Sequence, residues 1–159
     1  MTTLTCALVV AAATGLSVLS PAVASADTPR TQVPLLSNYK SCDFIQQDFV
    51  DATGYARGTA YLSASGNTVS ADIDFNTAVP DSYYDVRIIQ TPRGSMGCGP
   101  GAPGVVTGIL RTDPGGAGHV TVAGPIDANA TGAWVIVSRP SAYSQTPVEF
   151  YTSEFITKI

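Results

Sequence analysis

The residues able to do chemistry are few and far apart. His119 is the one histidine in the chain, so a Ser–His–acid triad or a thiol–imidazole pair would have to be built around it. No Gly-x-Ser-x-Gly turn occurs, and His119 directly follows Gly118 at the head of a short β-branched run. That context places it on a surface strand. Gly99-Pro100-Gly101-Ala102-Pro103-Gly104 carries the letters of the dinucleotide fingerprint. The fingerprint works by opening a helix whose amides face a pyrophosphate, whereas here two prolines interrupt it and Val105-Val106-Thr107 predicts a strand. Asp72 and Asp74 share a strand face, and Asp43, Asp48 and Asp51 cluster. Paired carboxylates can hold calcium or act on a glycosidic bond. Neither group has EF-hand spacing, and a solvated face accounts for both. No catalytic residue, metal or cofactor is expected from these patterns.

Three cysteines are present, Cys6, Cys42 and Cys98. Cys6 falls in an apolar stretch running to Leu19, followed by Pro21 and the small residues Ala24-Ser25-Ala26. This is the layout of a secretory signal peptide over residues 1–26, cleaved after Ala26. The stretch is too short to cross a bilayer core of ~30 Å as a helix, so no transmembrane segment is expected after processing. An exported chain meets an oxidising compartment, where an isolated pair such as Cys42 and Cys98 is expected to be bridged.

Between the second of these cysteines and its surroundings lies the chain's most irregular segment. Residues 92–104 are rich in glycine and proline, and loops of that length in compact domains are usually functional or disordered. Arg93, Gly94, Ser95, Met96 and Gly97 form a candidate partner-binding loop anchored by Cys98, with Arg93 and Met96 available to enter a pocket. The alternative is a crossover between two halves of the fold. A bridged loop that loses little entropy on docking also suits an inhibitor of an extracellular hydrolase.

The elements that must carry these residues are strands. Val69, Ala71, Ile73 and Phe75 alternate with Ser70, Asp72, Asp74 and Asn76, a period of two that sets one face on a core. Further strands are expected over 55–64, 83–91, 105–112, 119–123, 133–137 and 148–156, separated by Gly- and Asp-rich turns. Residues 27–41 hold two prolines and no periodicity and read as an extended leader. That leaves 42–159 as a single all-β domain: an antiparallel Greek-key sandwich of seven to eight strands. Tyr55, Tyr61, Tyr83, Tyr143 and Tyr151 are candidates for a surface patch, and Trp134, inside an apolar run, is expected in the core.

One segment carries a resemblance. Val79-Pro80-Asp81-Ser82-Tyr83-Tyr84-Asp85-Val86-Arg87-Ile88 resembles the corner of fibronectin type III and other immunoglobulin-like sandwiches. The resemblance implies that Tyr84 is the corner tyrosine, bonded through its hydroxyl to backbone a few residues upstream. Val86 stands where immunoglobulin domains carry their second cysteine, and four more strands follow where those families have one. The implied fold is therefore immunoglobulin-like without the standard strand order. The whole chain also resembles small exported sandwich proteins of actinobacteria that have no assigned activity.

Eight Lys and Arg against twelve Asp and Glu give a net charge of −4. No basic cluster exists to neutralise phosphates, so no nucleic-acid partner is expected, nor a polybasic hold on anionic lipid. The expectation is a monomeric, secreted, non-enzymatic module that binds a protein or glycan of the cell envelope. A hydrolase inhibitor is the first alternative, and a hydrolase with an unrecognised site the second.

Overall fold

The computed structural model describes residues 29–159. The signal peptide expected over 1–26, its cleavage after Ala26, and Cys6 lie outside the described residues.

Alternation and turn chemistry build the first layer. β2 (Arg57–Ser65) and β3 (Thr68–Asn76) form a hairpin in unbroken register from Arg57↔Asn76 to Ser65↔Thr68. Gly66 takes φ +57° at the first of its two turn positions, a left-handed conformation that glycine adopts without a Cβ clash. β1 (Thr31–Leu36) pairs with the free edge of β2, and β6 (Gly118–Pro125) with the free edge of β3. The second layer holds β4 (Tyr83–Thr91) between β5 (Val105–Arg111) and β7 (Gly132–Arg139). β8 (Glu149–Ser153) and the two-residue β9 (Thr157–Lys158) follow one another along β7. A short β1–β8 ladder joins the layers, giving the antiparallel order β5-β4-β7-β8-β1-β2-β3-β6. Among the described residues there is no helix.

The two end strands, β5 and β6, meet without a ladder, and the sheet nearly closes on itself. Glycine makes this seam possible. A Cβ on Gly108 would lie 2.5 Å from a Val122 methyl, and one on Gly124 would lie 2.7 Å from both Val106 methyls. Each valine occupies the space its opposite glycine leaves empty. Inside, Val33, Leu62, Ile73, Phe75, Tyr84, Val86, Val135 and Tyr151 are buried in one core.

Two expectations need correction. Among the described residues the strands number nine rather than seven to eight, the additions being β1 and the two-residue β9. The boundary at residue 42 also moves: residues 31–36, read as a leader outside the domain, form β1, with Val33 and Leu35 in the core. Pro34 is tolerated for a specific reason. Its carbonyl accepts the Glu154 N–H at 3.0 Å, so its missing donor faces β8, just beyond the two-residue β1–β8 ladder. No bond to β2 is lost there.

At one end of the core the polar groups of three strands and two loops converge. Tyr84 Oη accepts the Val79 N–H at 3.2 Å and donates to Glu149 Oε2 at 2.9 Å. Tyr151 Oη accepts the Ala56 N–H at 3.0 Å and donates to the same Oε2 at 3.2 Å. Glu149 Oε1 takes Arg139 Nη2 at 2.7 Å. Burial raises both phenolic pKa values, Tyr151 more than Tyr84, so both hydroxyls keep their protons and donate. Tyr84→Phe orphans the Val79 amide and one carboxylate lone pair, and is expected to cost about 1–3 kcal/mol. Tyr83 is half exposed on the opposite face, so Tyr83→Phe should be near neutral. Urea unfolding of the two variants checks this, and equal losses would contradict the assignment.

Candidate functional site

β7 reads Gly132-Ala133-Trp134-Val135-Ile136-Val137-Ser138-Arg139 and is buried on both faces. Ala133, Val135 and Val137 enter the main core, while Trp134 and Ile136 point to the other side of the sheet. A strand apolar on both faces needs a second cover, and here the cover is loops. Residues 37–56, between β1 and β2, bring Phe44 edge-on to Trp134 with ring centroids 5.4 Å apart. Lys40 fixes this loop, donating to the carbonyls of Ser153 and Glu154 and lying 3.8 Å above the Phe44 ring. Burial lowers the Lys40 pKa, partly offset by Glu154. Trp134 is therefore core, but of a smaller cluster outside the main one.

Residues 92–104 complete the cover. The Cys42–Cys98 disulfide is formed, with Cα atoms 5.6 Å apart, and both cysteines pack with Ile89, Trp134 and Ile136. The Cys42 N–H donates to the Ser95 carbonyl at 3.1 Å. Arg87, reaching out from β4, donates from Nη1 to the Cys98 carbonyl at 3.1 Å.

Arg93 braces the loop from within, its Nη2 donating to Gly97 O at 2.9 Å and Pro103 O at 3.3 Å. These two contacts engage one guanidinium nitrogen and tie Arg93 to its own loop. Gly94, Ser95, Met96 and Gly97 are exposed, with Met96 85% accessible. The fingerprint letters 99–104 form turns that lead into β5, with Ala102 N–H donating to Gly99 O. No helix opens there to receive a phosphate.

Between the loops lies a pocket of about 400 Å³ lined by Tyr39, Phe49, Arg87, Ile89, Trp134 and Gln145, with the disulfide at its wall. Phe49 is 84% exposed. Trp134 is fully buried, yet its Nε1–H has no acceptor. Arg87 makes no ion pair among the described residues, and burial lowers its pKa, opposed by Tyr39 and Asp85. It remains a cation, partly stripped of water and with no carboxylate in direct contact among the described residues. Lys40, Phe49 and Arg87 were not singled out in the sequence. The only available signal was the pair of charged residues Asp85 and Arg87, alternating with the apolar Tyr84, Val86 and Ile88 of β4.

The remaining candidates scatter. His119 is exposed on β6, with Nδ1 2.8 Å from Asp74 Oδ1. Asp72 pairs instead with Arg30 at 2.7 Å, so the two aspartates do not share a ligand. Asp43 accepts the Ser41 hydroxyl, which lowers its pKa. The tyrosine patch does not exist as expected: Tyr151 is fully buried, and Tyr61 and Tyr83 stand on opposite layers. Among the described residues no three His, Cys, Asp or Glu side chains gather as metal ligands, and no helix is long and apolar enough to cross a membrane. Comparison with protein-family models, curated proteins and solved structures finds no match to this chain.

Proposed function

We propose that the chain is an exported, monomeric, non-enzymatic binding module whose partner is a protein docking on the loop-capped face. The observation that carries this reading is the pocket between loops 37–56 and 92–104. It combines an exposed aromatic, Phe49, with a desolvated and unpaired cation, Arg87. A partner segment presenting an apolar side chain beside a carboxylate satisfies both. The disulfide and the carbonyl contacts of Arg93 and Arg87 hold the loop in shape, which lowers the entropy lost on docking. The same disulfide supports export.

The immunoglobulin-like Greek-key reading belongs with this proposal. Its supports are the Tyr84–Val79 bond across the corner and the return of β6 to pair with β3 after the β4–β5 hairpin. An inhibitor of an extracellular hydrolase would use the same face through Arg93 and Met96.

The test is affinity capture from the producer's envelope and secreted fractions, followed by titration of each captured protein after purification. Replacement of residues 94–97 by Ala, and separately Phe49→Ser, is expected to weaken the purified pair more than tenfold, about 1.4 kcal/mol. His119→Ala should leave it unchanged. Equal affinity in the loop variants, or no purified protein that binds, overturns the proposal. Turnover of an envelope substrate that His119→Ala abolishes would replace it with the hydrolase reading.

A further inference from the structure

A second site lies on the other layer, across β2, β3 and β6. A concavity of about 780 Å³ opens there, within the ~300–1,000 Å³ range of small-molecule sites. The pleat turns Thr59, Asp74 and His119 outward in one row of directly paired positions. Tyr61 stands beside that row on β2, and Arg57 and Arg111 line the same cleft.

Its charges are unevenly satisfied. Asp74 is held by His119. Asp113 Oδ1 accepts the N–H groups of Gly115 and Ala117 at 2.8 and 2.9 Å, so one of its oxygens is engaged by its own turn. Neither Arg57 nor Arg111 makes an ion pair among the described residues. An acidic protein thus carries a cleft in which one oxygen of each carboxylate is engaged locally and neither guanidinium makes an ion pair among the described residues. The Nδ1 contact to Asp74 also leaves His119 Nε2 available to a ligand.

The geometry points to this cleft as a binding site for a carboxylated saccharide, its acid group taken by Arg57 and Arg111 and its hydroxyls by the polar row. Arginine suits a planar carboxylate because its donors form a fork of matching geometry. The hydroxyl, imidazole and carboxylate groups of Thr59, His119 and Asp74 supply both donors and acceptors, which a polyhydroxylated ring requires. The Tyr61 ring offers a flat amphipathic surface of the kind that packs against such a ring. An apolar peptide side chain finds no comparable lining here.

This inference does not rest on the loop-face reading, and its test separates the two. Isothermal titration with trigalacturonate, maltotriose and inorganic phosphate as probes should show binding of trigalacturonate and none of maltotriose. Arg57→Gln/Arg111→Gln should weaken trigalacturonate binding at least tenfold. Replacement of residues 94–97 by Ala should leave it unchanged. Circular dichroism of the double variant should match the parent, since both arginines are exposed. Equal binding by parent and double variant, or no binding of trigalacturonate, overturns the inference. Phosphate bound as tightly as trigalacturonate would also overturn it, since the cleft would then hold an ion without reading a sugar.

Discussion

Glu149→Ala is expected to lower the unfolding free energy by about 3–5 kcal/mol, the largest loss from any single polar substitution in the chain. Glu149 is 6% exposed, and its carboxylate is the shared acceptor of Tyr84, Tyr151 and Arg139. Removing it leaves two buried phenolic protons without acceptors, each costing about 1–3 kcal/mol. Arg139 is more accessible and regains water, so its lost ion pair adds little. The effect is therefore a desolvation cost at two hydroxyls rather than a Coulombic one. A double-mutant cycle checks the assignment. Tyr84→Phe in the Glu149→Ala background should cost clearly less than it does alone, because the donor it removes is already unsatisfied. Additive losses, or a total under 1 kcal/mol, would mean that the cluster is solvated.

What the sequence reveals of this fold follows from how each strand is buried. β3 was legible to the residue because one face is wet and the other dry, so Val69 to Asn76 alternates without a break. Tyr84 was singled out by the resemblance to an immunoglobulin-like corner rather than by alternation, and it is buried while Tyr83 beside it is half exposed. β1 was hidden because its apolar residues, Val33, Leu35 and Leu36, do not alternate and surround a proline whose lost donor faces the end of a ladder. β7 was found as a strand, but its two apolar faces erase the period, so nothing indicated that Trp134 points away from the main core. The loop 92–104 announced itself through glycine and proline. What it covers did not, because Arg87 and Phe49 meet it only through the tertiary fold. The cleft on the other layer was invisible for a related reason. Asp74 and His119 become neighbours through the β3–β6 register, which brings together residues from separate hairpins.

Cys42→Ser/Cys98→Ser is expected to cost about 4 kcal/mol, the loop-closure entropy of a bridge spanning 56 residues. That is a large share of the ~5–15 kcal/mol that stabilises a typical domain, yet the loss should fall unevenly. The bridge does not touch the main core, whose strands are tied by their own ladders. It fastens two loops over Trp134, Ile89 and Ile136. The variant should keep its β-sheet signal in far-ultraviolet circular dichroism while the cover over β7 loosens. Trp134 is the single tryptophan of the chain, so it reports on this layer alone. Its emission should shift to longer wavelength in the variant as water reaches the ring, and acrylamide should quench it more strongly. Amide exchange should quicken in residues 38–50 and 92–104 while β2, β3 and β4 stay protected, since local stability follows the contacts that remain. Partner affinity on the loop face should fall with the cover, because the pocket walls are the two loops the bridge joins. An unchanged tryptophan spectrum together with uniformly faster exchange would show that the disulfide stabilises the sheet as a whole. The loop-capped face would then lose its claim to be a separately fastened layer.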